Sequence, residues 1–514
     1  MTAKNFSNPV EQRPVVHVRA DWSGSTRRLI AGAMSVAVAG SLFMPNIALA
    51  AEWVDVGGTT YNAGTAAGDE AGTWAWDGAD DMRLNGYDGG AIAAGGKLDV
   101  TYAGDNSVTS DRDTAIQVVD GNEEQAKLTI TGDGTLEATG GRSGIASEGA
   151  LTIAGSGSVK ARGEDYSGIE ADGDLTITGG GTVEASSEYD NGIAADGDLK
   201  VSGSTVKATG SRDTAQGILV EGSAWIGDGA SVTANGCRNG IWAYEGVTVD
   251  NAKLTARAAA DECPFAIYAD EGDIVFKNGA LVDARAEGFD AKAIYTYNFD
   301  EGPDGGHIYI TDSDVTAIAT TPDADQGDGA QGVPSETFGI LAETNGDAAA
   351  PATIVIKRSN VTAAGSFAAI LASVTTTGEG TQGTIAISDS KIATPEGGRV
   401  CDFILTWEGS DGEIEYCRGQ VIGTAEEVME DLENGDVAKL AVITADEKPA
   451  EPAKPADKAD QHKAQKAEKV AAKVAPTTAK IPATGDASLA GLAATGVAGI
   501  AALLGGLFAS RKRS

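Results

Sequence analysis

The sequence predicts an all-β chain, a right-handed parallel β-helix of about 24 residues per coil, and three observations predict it. Glycine supplies 69 of 514 residues while aromatics supply 5%, a composition poor for several conventional cores and suited to a thin, repetitive rod. Between residues 82 and 394 one unit recurs: an apolar-x-apolar pair, a Gly-rich turn, Val-x-Ala, a variable loop, then Gly-Ile. Residue types also keep their place in the unit, which stacked coils explain and a Greek-key β-sandwich, the competing arrangement, does not.

The repeat can be followed by number. Leu128/Ile130, Leu151/Ile153, Leu175/Ile177 and Leu199/Val201 stand 23, 24 and 24 residues apart. Each is followed by a pair from Leu136/Ala138, Val159/Ala161, Val183/Ala185 and Val206/Ala208, and then by Gly144-Ile145, Gly168-Ile169, Gly192-Ile193 and Gly217-Ile218. Three period-two runs per unit mean three strands, each burying alternate side chains, with Gly and Asp-Gly at the corners. About eleven coils follow from counting such pairs to Ile385/Ile387, and longer inserts near 296–306 and 320–338 predict projecting loops.

The remaining segments are assigned in chain order. Residues 1–50 read as an export signal: basic residues ending at Arg27-Arg28, an apolar run from Leu29 to Leu49, and Ala48 and Ala50 in an A-x-A cleavage arrangement. The paired arginines leave Sec and twin-arginine export both open. Residues 51–395 form the β-helix. Residues 396–445 read as a cap made of a hairpin around Gly409-Ser410-Asp411-Gly412 and a short helix opened by the capping box Thr424-Ala425-Glu426-Glu427. Residues 446–480, rich in Ala, Lys and Pro, lack the apolar residues to bury a core and read as an extended linker.

Charge narrows the partners. The formal charge is −37; residues 1–50 carry +3 and segments 446–480 and 481–514 carry +2 each, which leaves −44 on residues 51–445. So acidic a body excludes nucleic acid as a partner and favours solubility or cation binding. Four cysteines in an exported chain suggest two disulfides. Cys237 and Cys263 each lie four residues before an inward Ile, which would make them neighbours on adjacent coils, and Cys401 and Cys417 flank the hairpin turn. No CxxC spacing or histidine cluster supports zinc.

Stacking converts repeated positions into columns. Trp242, Tyr268 and Tyr295 each follow an inward Ile and so should face outward, either as a platform for sugar rings or as a stack that stiffens the coil. Glu148, Asp172, Asp196, Glu221, Glu245 and Glu271 form an acidic line. Asp174 and Asp198 follow the glycines after two of these, and Asp172, Asp174, Asp196 and Asp198 are candidate Ca²⁺ ligands, although Asp-Gly is also ordinary turn chemistry. No catalytic residue is assigned: the acids spread along the rod, His17 and His462 fall outside the repeat, and His307 stands alone in a strand.

Two resemblances add to this. Ile481-Pro482-Ala483-Thr484-Gly485, an apolar segment from about Leu489 to Ala509, and Arg511-Lys512-Arg513 stand in the order of a wall-sorting signal, and this end resembles the LPXTG signal of Gram-positive sortase substrates. The resemblance implies cleavage between Thr484 and Gly485 by sortase, transfer to peptidoglycan, and passage through a membrane-inserted precursor; Ile481 replaces the usual Leu, which leaves the sortase class open. A plain membrane anchor is the competing reading of the same segment. Second, Trp74-Ala75-Trp76-Asp77-Gly78, Leu84-Asn85-Gly86 and Gly90-Ala91-Ile92, with the repeats, look like bacterial surface β-helix proteins described as carbohydrate-binding. That implies a wall-anchored, extracellular protein for adhesion or glycan recognition. The alternatives are a β-helical polysaccharide lyase or hydrolase and a passive stalk.

Overall fold

A computed structural model describes residues 51–119, 126–298, 306–321, 337–345, 351–376, 382–394, 400–408 and 414–423. All lie in the first of two units into which the chain divides, residues 1–449 and 450–514. The expected export signal, capping helix, linker and sorting signal fall outside the described residues. So does most of the 320–338 insert.

The described chain is all-β, a parallel β-solenoid of about ten turns. Its strands form three long sheets of 15, 14 and 12 strands, one strand of each per turn. The Gly-Ile strands make the first sheet, the apolar-x-apolar pairs the second and the Val-x-Ala runs the third. Register is as the repeat requires. Leu128 pairs with Leu151, Leu151 with Leu175 and Leu175 with Leu199. In the third sheet Val159, Val183 and Val206 align, and in the first Ile145, Ile169, Ile193 and Ile218. These inward columns are all but fully buried, and each Leu, Ile or Val contributes roughly 1.5–3 kcal/mol by burial.

The period stretches along the molecule. Paired residues are 23 apart at Leu128 and Leu151 but 46 apart at Ile308 and Ile354, because turns lengthen while strands stay in register. Glycine before the inward Ile has a steric cause in the early coils: a Cβ at Gly192 would stand 2.3 Å from the Thr209 nitrogen and 2.7 Å from the Gly217 oxygen. The other corner uses left-handed residues, Asp228, Asn251, Asn278 and Asp312 in successive turns, the types that tolerate positive φ.

Both ends of the first sheet depart from parallel pairing. Trp53–Val56 lies antiparallel to both Thr59–Asn62 and Ile92–Gly95, so the solenoid proper begins later than residue 51. At the far end Ile414–Gly423 pairs antiparallel with Ala368–Thr376 and with Cys401–Glu408, the expected hairpin closing one sheet edge.

The disulfides are corrected. The hairpin register sets Cys401 opposite Val421 and Cys417 opposite Leu405. The two cysteines are thus offset by four residues, about 13 Å along the strands and beyond the ~7 Å Cα limit for a bridge. Cys417 is a free thiol, pushed up to about 12 by burial. Cys237 and Cys263 do occupy equivalent positions, since Ile241 pairs with Ile267, yet both are free thiols. Cys263 sits at φ 49°, and this left-handed turn carries its Sγ to 3.6 Å from the Asp290 carboxylate of the following turn. The Cys237 Sγ lies 3.4 Å from the Ser211 oxygen of the preceding turn, so the sulfurs are directed apart.

Candidate binding face

The outer face of the 15-stranded sheet carries two adjacent columns. One runs through Asn191, Gln216, Asn239, Phe265, Lys292 and Phe338; the other through Ala146, Glu170, Ala194, Leu219, Trp242, Tyr268, Tyr295, Leu341 and Leu371. Ser143 and Ser167 extend the first column backward, two residues before Ile145 and Ile169. The columns touch: the rings of Phe265 and Tyr268 are 5.1 Å apart.

Toward the C-terminal turns this face is apolar and closed. Tyr268 and Tyr295 stack at 5.0 Å with planes 8° apart, and Tyr295 packs on a cluster of Phe338, Leu341, Ala368, Leu371 and Val421. Lys292, 8% exposed, holds its ammonium 5.1 to 5.6 Å from the rings of Phe265, Tyr295 and Phe338 and donates to the Asp290 carbonyl at 3.2 Å. The Tyr295 hydroxyl donates to Glu343 at 3.3 Å, and burial raises the pKa of both groups. The expected aromatic ladder therefore exists and faces outward, but the facing rings of Tyr268 and Tyr295 are spent on each other. Of the two readings of that column, stiffening by mutual stacking is the one found at these two tyrosines.

Toward the N-terminal turns the same face is polar. Ser143, Ser167, Asn191 and Asn239 are at most 4% exposed, and the small side chains of Ala146 and Ala194 flank Glu170 in its column. The Ser143 hydroxyl donates to Glu170 at 2.8 Å and that of Ser167 to Asp190 at 3.0 Å. Burial pushes the Glu170 carboxyl up to about 7, opposed by the Ser143 hydrogen bond and assisted by Asp190 and Asp196. Burial also raises Asp190. Along one rim Arg142 lies 4.6 Å over the Tyr166 ring and Arg212 lies 4.1 Å over Tyr189. From Ser143 to Asn239 the polar floor spans four inter-turn steps, about 19 Å.

Sequence reasoning did not single out Glu170. The signal was present: the rule that selected Trp242, Tyr268 and Tyr295, the residue after the inward Ile, selects Glu170 between two alanines.

Of the four aspartates considered for Ca²⁺, two hold backbone donors of the following turn. Asp174 Oδ1 accepts the Asp198 backbone N–H at 3.0 Å, and Asp198 Oδ1 accepts that of Ser223 at 2.9 Å. Each carboxylate thereby ties its corner to the next, and neither these two nor Asp172 and Asp196 belong to a converging group of three. Among the described residues the group close enough to share an ion is Asp77, Asp80 and Asp81. There Asp80 is paired with Lys97 at 2.7 Å and Asp77 Oδ1 accepts the N–H groups of Ala79 and Asp81, so two of the three carboxylates already hold partners. A shallow depression of about 270 Å³ on the 12-stranded sheet, near Lys253, Leu281 and Asp314, is lined by ordinary ladder side chains.

Comparison with family models, curated proteins and solved structures returned no match. No helix among the described residues is long and apolar enough to cross a membrane.

Proposed function

We propose that this chain is an exported surface protein, attached to peptidoglycan by sortase, whose solenoid binds glycan chains along the polar half of the 15-stranded sheet. The observation that carries the binding proposal is the polar floor from Ser143 to Asn239. Serines, amides and a carboxyl that burial holds near neutrality line an outward face where a purely structural sheet would place apolar or fully hydrated side chains.

Such a floor offers donors and acceptors to sugar hydroxyls, and the half-buried Tyr166 and the exposed Tyr189 stand along its rim. The sorting signal carries the localisation part of the proposal. A repeating face also suits a repeating ligand, because each turn presents related chemistry about 4.8 Å further along.

A glycan array probed with the secreted chain tests the reading. Binding that falls at least several-fold in the Glu170→Ala and Tyr166→Ala variants supports it; silence across the array favours a passive stalk, and release of shortened sugars would make the protein an enzyme. Export and anchoring are checked separately: Thr484→Ala should move the protein from the wall fraction to the membrane and medium.

A further inference from the structure

We infer that Asn239 and Trp242 form a subsite for an acetamido group, so that the glycan bound on this face carries N-acetylated amino sugars. The inference rests on the glycan-binding reading and deepens it. Asn239 is 4% exposed, and its Oδ1 has no hydrogen-bond partner among the described residues. Three residues on in the same strand, Asn239–Ala243, the Trp242 Nε1–H is covered and has none either.

The two side chains stand in adjacent columns. Asn239 pairs with Phe265 and Trp242 with Tyr268, whose rings touch across the same two columns one turn later. The strand thus holds one unmet acceptor and, in the adjacent column, one unmet donor at the end of a polar floor. Burying each without a partner costs about 1–3 kcal/mol, a cost that a ligand matching both would remove.

A secondary amide is the group that matches both. It carries one N–H for the Asn239 oxygen and one carbonyl for the Trp242 indole, whereas a protonated amine brings only donors and has nothing for the indole N–H. Its methyl adds apolar area beside Leu219, which precedes Trp242 in the column. Both atoms are closed to bulk water in the free chain. The amide therefore enters as rim side chains change rotamer, and exposed Arg238, the residue before Asn239, is the longest on that turn.

Calorimetric titration of the full-length chain tests this with three probes: the N-acetylglucosamine trisaccharide, the same trisaccharide de-acetylated, and an acetylated tripeptide amide. The acetylated sugar should bind at least about tenfold more tightly than the other two, and Trp242→Phe and Asn239→Leu should each weaken it about tenfold. Neither substitution removes a hydrogen bond of the Asn239 Oδ1 or the Trp242 Nε1–H, and a loss of affinity with an unchanged thermal midpoint separates lost recognition from lost folding. Equal binding of acetylated and de-acetylated sugar, or unchanged affinity in both variants, overturns the acetamido subsite while leaving the glycan face. Silence toward every sugar overturns both, and preference for the tripeptide replaces glycan by peptide. Repeating the titration with peptidoglycan glycan strands and with mucin O-glycans tells wall from host as the source, either result supporting the subsite.

Discussion

Glu170 is an acid that its surroundings hold well above its ordinary range. Its folded pKa of about 7 lies above the ordinary carboxyl value of 4.5, so the folded state binds the proton more tightly than the unfolded one. A raised acid contributes most stability below its unfolded pKa, and that contribution is lost as pH rises through the folded value. Glu170→Gln should therefore abolish this loss between about pH 4.5 and 7 and stabilise the chain by about 1 to 3 kcal/mol at pH 8 in urea titrations. Asp174 and Asp198 accept hydrogen bonds from backbone N–H groups of the following turns. Alanine at either should cost about 1 kcal/mol, by an equal amount in Ca²⁺ and in chelator, if the carboxylates close turns and bind no ion. A chelator-dependent difference would restore the cation reading.

At the scale of strands, register decides more than composition does. Gly192→Ala should destabilise by roughly 1–3 kcal/mol, because its Cβ meets the Thr209 nitrogen within a backbone stack that cannot yield locally. In the hairpin, peptide mapping of unreduced protein should recover Cys401 and Cys417 on separate, unlinked peptides, since Cys417 faces Leu405. The strands and their stacking were legible in the sequence because an inward side chain every second residue leaves a periodic trace. The cysteines were misread for a related reason. Equivalent position along the unit does fix which residues are neighbours, as Ile241 and Ile267 show, but it does not fix φ, and the left-handed turn at Cys263 redirects the thiol. The binding face was only half legible: the position rule found the aromatic end of the column and passed over its polar end, where serine and alanine give no hydrophobic signal.

For the molecule as a whole, charge and topology set behaviour. With −44 on residues 51–445 and most of the described acids at least partly exposed, repulsion between turns opposes the compact state. Raising ionic strength from about 0.01 M to 0.15 M shortens the screening length from about 30 Å to 8 Å and should raise the thermal midpoint. A midpoint that falls with salt would mean that ion pairs such as Lys97–Asp80 outweigh the repulsion.

The coincidence of Ile169 over Ile193 has a consequence for how such a gene can change. Excising codons 169–192 joins Gly168 to Ile193 and leaves every remaining residue in step with its neighbours, so unequal crossing-over between these units yields a shorter protein that still folds. The early, evenly spaced units act as a length adjustment under recombination, whereas the irregular units after Ile274 resist it.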